Sequence, residues 1–345
     1  MQKIMIIAEI GCNHNGDKEL AREMILKAKE CNADAVKFQT FKSEELVSCY
    51  APKAEYQKKT TSGGETQLDM LRKLELSEDA YKELKAYAES LGILMFSAPF
   101  DMHSVRFLES IGQRIWKIPS GEITNLPYLR EIGSFQINNK RVLLSSGMTT
   151  IEEIEKSVDI LVESGTPESQ ITILHCNTEY PTPDEDVNLF AIEDLRRHFP
   201  GVSLGLSDHS EGYLAAVGAA MLGVTVIEKH FTLDKNMEGP DHKASITPEE
   251  LRRLCHSIRR IEIMSGSGIK KVTPSERKNM AIARKSIVAR HDIAAGEPFT
   301  EDNITCKRPG NGISPMEWDN ILGKTAERAF GENELIEATG FSWQE

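Results

Sequence analysis

An eightfold alternation of two hydrophobic periods constrains this chain more than any other feature of its sequence. Eight short apolar runs rich in β-branched residues, at 4–10, 34–39, 93–97, 115–118, 141–145, 171–176, 202–207 and 224–230, read as buried strands. Stretches of helical periodicity lie between and after them, at 17–31, 77–91, 102–111, 127–132, 151–163, 188–198, 212–222 and 247–263. In the last of these Thr247 is the expected N-cap, ahead of Pro248 and Glu249. Strands that alternate with helices must pair in parallel through right-handed crossovers, and eight such units over about 250 residues match a closed (β/α)8 TIM barrel. An open doubly wound sheet is the weaker fit.

The barrel takes up residues 1–264, and Ser265, Gly266, Ser267 and Gly268 open a polar linker at 265–282. From 283 to 345 the texture changes to short strand-like runs broken by Gly and Pro turns, which predicts a small β-rich module. The stretch 41–77, with Lys42, Lys53, Lys58 and Lys59, is too long for a βα loop and is expected to be a lid over the active-site face.

Charge and composition exclude several function classes. Lys and Arg number 41 against 53 Asp and Glu, so the formal net charge of −12 argues against a nucleic-acid surface. No apolar run approaches the ~20 residues of a membrane span. The first ten residues lack the long apolar core and cleavage site of a signal peptide, so a cytoplasmic protein with no membrane partner is expected. Six scattered cysteines without a CxxC pair read as reduced thiols.

In such a barrel the chemistry lies at the C-terminal ends of the strands, so the polar residues that close each run are the informative ones. Lys37 and Lys117 sit among apolar neighbours on strands two and four and would form a cationic pocket for a phosphate or carboxylate. Ser120, Ser145, Ser146 and Ser207 are hydroxyls available to the same anion. His209 and His230 end the adjacent strands seven and eight, a spacing that suits a catalytic divalent ion with open positions. Glu9, Glu122 and Asp241 are candidates for orienting a hydroxylated substrate or moving protons. Cys176 follows His175 directly, and neighbours on one strand face opposite sides, so the two cannot act as a nucleophile and base.

Taken together, the segments 7–16, 36–40, 117–122, 175–183, 207–209, 228–232 and 239–241 resemble those of the sialic acid synthase family, closest to its bacterial N-acetylneuraminate synthases. The segment 307–318 resembles the family's C-terminal antifreeze-like (SAF) domain. Two positions depart from the family pattern: Ala98 in Ser97-Ala98-Pro99-Phe100 lacks a hydroxyl, whereas Ser146 in Ser145-Ser146-Gly147 keeps one.

The resemblance implies a metal-dependent condensation of phosphoenolpyruvate with N-acetylmannosamine and water, giving N-acetylneuraminate and phosphate by C–O cleavage. It implies a catalytic set of Glu9, Lys37, Lys117 and Glu122. Substrate would be bound by Gln39, Ser120, Ser145, Ser146, Thr178, Tyr180, Ser207 and Asp241, and Mn²⁺ by His209 and His230. It further implies that Arg308 enters the partner's site in a domain-swapped homodimer. The same motifs fit a legionaminate synthase acting on 2,4-diacetamido-2,4,6-trideoxymannose. A non-catalytic carbohydrate-binding protein and a metal-dependent aldolase using pyruvate are the alternatives of other classes.

Overall fold

The computed structural model describes residues 3–48, 50–51 and 66–337. The chain divides into two compact units, Met1–Ser267 and Gly268–Glu345.

The first unit is the TIM barrel. Its strands are β1 (Met5–Gly11), β2 (Ala35–Thr40), β3 (Leu94–Pro99), β4 (Ile115–Ile118), β5 (Arg141–Ser145), β6 (Ile171–Cys176), β7 (Ser203–Asp208) and β8 (Val226–His230). They pair in parallel in the order β3-β2-β1-β8-β7-β6-β5-β4. At the closing seam β3 and β4 lie side by side without a backbone ladder. The Gln113 side chain stands in for it, accepting from the Ser97 N–H at 2.8 Å and donating to the Ser97 carbonyl at 2.9 Å.

Local chemistry sets the crossover helices. Ser77 caps Glu78–Leu91, which ends at a left-handed Gly92 with φ 66°. Thr150 with Glu153, and Thr247 with Glu250, form capping boxes ahead of Ile151–Glu163 and Pro248–Met264. Two helices start later than their periodicity suggests, at Ala191 and Leu214, because Asn188 and Gly212 take left-handed backbone with φ 43° and 66°. The helices cover the outward faces of the strands, where Ile6, Ala8, Ile10, Val36, Phe38, Trp116 and Ile118 are buried against them.

In the second unit β9 (Ser286–Ala289) pairs antiparallel with β10 (Ile304–Lys307) around a core that includes Ile287, Ile293, Phe299, Ile304 and Phe330. The polar stretch expected as linker contains a helix, Pro274–Ala283, because Thr273 and Glu276 form a capping box with Pro274 in the first turn. No helix of the described residues is long and apolar enough to cross a membrane. The five described cysteines, Cys12, Cys31, Cys176, Cys255 and Cys306, form no disulfide, and Cys49 lies outside the described residues.

Candidate active site

Strand parity builds the site. Alternate side chains of each strand face the barrel interior, and the lower inward positions Ile7, Ala35, Phe96, Ile115, Leu143, Leu174 and Val226 pack as a separate apolar core. Two residues further along the same strands stand Glu9, Lys37, Lys117, Ser145, Cys176 and Glu228. Pairing sets Glu9 level with both Lys37 and His230, and Ser207 level with Cys176 and Glu228. The intervening residues Asp208 and Lys229 face away from the interior and form a buried ion pair of 3.0 Å.

Glu9, Lys37, Gln39, Lys117, Ser120, Ser145, Thr178, Tyr180, Ser207, His209, His230 and Asp241 share the lining of one cavity of about 290 Å³. Three expected residues are elsewhere. The Ser146 hydroxyl donates to the Leu174 carbonyl at 3.0 Å, a strand-end anchor, and Glu122 accepts from the Asn125 amide at 2.6 Å outside the lining. Arg308 belongs to the second unit, where its Nε donates to the Ala283 carbonyl at 3.0 Å. Ala98 is buried and also outside the lining.

Four charges make the floor. Lys37 Nζ is 2.9 Å from Glu9 and 3.6 Å from Glu228, and Lys117 Nζ is 3.4 Å from Glu228. All four side chains are nearly inaccessible to solvent. Burial works to raise Glu228, yet Lys117, Lys37 and the Ser207 hydroxyl, which donates to it at 2.9 Å, outweigh that and bring its pKa to about 2. Burial lifts Glu9 to about 7 against the opposing pull of Lys37. For Lys37, burial is overcome by Glu228 and Glu9, which hold it above the ordinary lysine value. Lys117 is lowered, because burial outweighs what Glu228 returns. Two buried lysines, one held above and one below the ordinary lysine value, thus face one firm carboxylate and one that titrates near neutrality.

The residues present fit a divalent ion. His209 Nδ1 donates to the Asn177 carbonyl at 2.5 Å, which fixes the tautomer and leaves its Nε2 as a lone-pair donor. His230 is held neutral by burial, with further lowering from His209 and Lys37, and its buried Nδ1 has no hydrogen-bond partner. The two rings are 5.3 Å apart between centroids. No group of three or more His, Cys, Asp or Glu side chains among the described residues has metal-binding geometry.

Ser145 Oγ is likewise buried without a hydrogen-bond partner, whereas Glu9 Oε2 and Glu228 Oε2 face Lys37 Nζ, at 2.9 and 3.6 Å. Ser145 Oγ and His230 Nδ1 thus stand unsatisfied beside buried ion-paired carboxylates on one cavity, an arrangement that suits a site completed by a polar ligand.

Strand-end reading gave Glu228 no role, although its parity with His230 puts it inward. It also missed an apolar part of the lining, formed by Phe41, Leu46, Met70, Leu71, Leu74 and Phe100. The available signal was the Thr66–Asp69 capping box ahead of the helix Gln67–Leu74. Of the stretch 41–77 expected as a lid, 49 and 52–65 lie outside the described residues.

Residues 24–270 match the NeuB family and 284–341 the SAF domain. The chain is 51% identical over 336 residues to the N,N'-diacetyllegionaminic acid synthase of Campylobacter jejuni, covering 97% of this chain and 99% of that protein. It is 44% identical over 320 residues to the protein of the same name from Legionella pneumophila, covering 92% and 89% respectively. Among solved structures, the N-acetylneuraminic acid (sialic acid) synthetase of Leptospira borgpetersenii superposes with a TM-score of 0.71 at 32% identity, over 81% of this chain and 90% of that one.

Proposed function

The chain belongs to the NeuB family, the sialic acid synthases, and from that premise we propose that it condenses phosphoenolpyruvate with 2,4-diacetamido-2,4,6-trideoxymannose and water to give N,N'-diacetyllegionaminate and phosphate. The observation that carries the reaction class is the convergence of two buried lysines, two buried carboxylates and two histidines on one barrel-end cavity. The choice of sugar rests on the 51% and 44% identity to legionaminic acid synthases, against 32% to a neuraminic acid synthetase. The sequence motifs alone favoured N-acetylmannosamine, and the relatives move that preference to the diacetamido sugar.

In this reading Lys37 and Lys117, with the Ser120, Ser145 and Ser207 hydroxyls, hold the phosphate and carboxylate of phosphoenolpyruvate. Gln39, Thr178, Tyr180 and Asp241 take the hydroxyl and amide groups of the open-chain sugar. His209 Nε2 and His230 Nδ1 would hold a divalent ion such as Mn²⁺, which when bound supplies Lewis-acid polarisation of the sugar aldehyde. C3 of phosphoenolpyruvate forms the new bond to the aldehyde carbon, leaving positive charge at C2. Glu228, ionised in the floor of the site, stabilises that charge. Glu9, titrating at about 7 because of burial, gives its proton to the aldehyde oxygen and regains one from the water that adds at C2. The C2–O bond to phosphate then breaks with its electron pair leaving on phosphate, while the C2 hydroxyl becomes the product's carbonyl and its proton passes to the departing phosphate.

The test is phosphate release by metal-stripped enzyme with phosphoenolpyruvate and either sugar. Release is expected only when Mn²⁺ is restored, and with the diacetamido sugar favoured. Preference for N-acetylmannosamine would return the substrate to the first reading. Release with neither sugar would favour a non-catalytic carbohydrate-binding protein.

A further inference from the structure

The lining of the cavity divides by chemistry. Strand ends supply its charged and hydrogen-bonding part, whereas the segment 41–47 and the helix Gln67–Leu74 supply an apolar part. Phe41, Met70 and Leu74 are buried and pack with Cys12 as a cluster separate from the barrel core, with Leu46, Leu71 and Phe100 against it. A core element has no need to face a cavity lined with lysines and histidines.

The wall is braced before any ligand arrives. Glu75, at the end of the helix, accepts from Lys42 Nζ at 2.9 Å and from the Ser43 amide and hydroxyl at 3.1 and 3.0 Å. Arg72 pairs with Glu44 at 2.8 Å, and Asp101 accepts from the Lys42 amide at 2.7 Å. The β1 loop closes on the same helix at Gly16, where φ is +76° and a Cβ would stand 2.4 Å from the Lys73 carbonyl, so no other residue allows that approach. Preformed apolar surface of this kind discriminates by what it cannot hydrogen-bond.

We propose that this wall, centred on Phe41, Met70 and Leu74, is the element that selects a 6-deoxy sugar, seating the C6 methyl where N-acetylmannosamine would bring a hydroxyl. The inference rests on the substrate reading above and deepens it. The anionic groups of phosphoenolpyruvate belong at Lys37 and Lys117, and the polar groups of the sugar find partners in Gln39, Tyr180 and Asp241. Gln67 is the polar residue that this helix adds to the lining, but Phe41, Met70 and Leu74 offer no partner, so a methyl against them gains burial while a hydroxyl there loses its water without replacement. Differences of one such group in an apolar pocket are worth ~10–100-fold in kcat/KM.

Three acceptors separate the effects: 2,4-diacetamido-2,4,6-trideoxymannose, N-acetylmannosamine and its 6-deoxy analogue, each assayed with the full-length enzyme, Mn²⁺ and phosphoenolpyruvate. In the wild type, removing the 6-hydroxyl from N-acetylmannosamine is expected to raise kcat/KM by ~10–100-fold. Met70→Gln and the half-buried Leu71→Gln should each shrink that ratio by about tenfold, with Met70→Leu retaining it and the half-saturating phosphoenolpyruvate shifting by less than about threefold. Circular dichroism and the thermal midpoint identify a variant that fails to fold, and Leu71→Gln then carries the test. An unchanged ratio in both Gln variants, an equal loss on all three acceptors, or no 6-deoxy gain in the wild type would overturn the wall as the selector. If the wild type prefers the trideoxy sugar while the variants keep the ratio, only the wall is wrong. If the wild type uses N-acetylmannosamine and leaves the trideoxy sugar untouched, the substrate reading is wrong and the wall falls with it.

Discussion

Glu228 faces Lys37, Lys117 and the Ser207 hydroxyl, at 3.6, 3.4 and 2.9 Å, so it is the shared counter-charge of two buried lysines. Glu228→Gln keeps the shape and removes the charge. Breaking a buried ionic arrangement this way costs ~3 kcal/mol, and the release of Glu9 from a like charge offsets only part of it. Chemical denaturation should therefore show a large stability loss together with impaired phosphate release; a loss below about 1 kcal/mol would mean the cluster is hydrated and surface-like. His14 gives a second residue-level expectation. It is buried, stacks on Phe38 and accepts from the Gly16 amide at 3.0 Å through Nδ1, and burial pulls its pKa from 6.5 to about 4. Between those pH values the unfolded chain binds a proton that the folded chain refuses. The stabilisation is thus whole above pH 6.5 and is lost as pH falls through about 4. Thermal midpoints of wild type and His14→Gln should converge on acidification over this window, and parallel curves would contradict the assignment.

At the scale of elements, the seam between β3 and β4 depends on one side chain. Gln113→Leu leaves the Ser97 N–H and carbonyl without partners in a buried setting, at ~1–3 kcal/mol for each orphaned group. A lower thermal midpoint with little change in the sugar half-saturation is expected, whereas an unchanged midpoint would show that water replaces the amide. This seam was invisible in the sequence, because Gln113 lies in the polar turn before a strand and nothing local marks it as a ladder substitute. The strands themselves were legible for the opposite reason. A buried barrel strand is a continuous apolar run, and the inward switch from Ile7 to Glu9, or from Val226 to Glu228, prints a charge inside that run. The apolar wall was not legible, since Met70, Leu71 and Leu74 have the spacing of any amphipathic helix. That Glu122 and Ser146 lie outside the cavity lining was not legible either, because polarity at a strand end does not reveal whether a side chain faces the cavity or, like Ser146, anchors a neighbouring carbonyl.

At the scale of the whole molecule, the site assembled by the barrel has two lysines for the anionic substrate but no arginine in its described lining. The family resemblance implies that Arg308 of the second unit enters this site from a partner subunit. If so, every active site is composite, and a dimer built from two different damaged chains retains one intact site. Arg308→Ala alone should weaken sugar use more than phosphoenolpyruvate use, and His230→Ala alone should abolish metal-dependent turnover. Co-expression of the two variants under different tags, with purification through both, isolates the mixed dimer. In that dimer one site combines the wild-type barrel of one chain with the wild-type Arg308 of the other, while the second site carries both defects. Phosphate release at roughly half the wild-type rate per dimer is expected, because closed two-fold assembly gives each barrel one partner arm. If Arg308 served the barrel of its own chain, each site would hold one defect and the mixed dimer would be no faster than the average of its parents. A mixed species that cannot be purified through both tags would exclude the dimer itself.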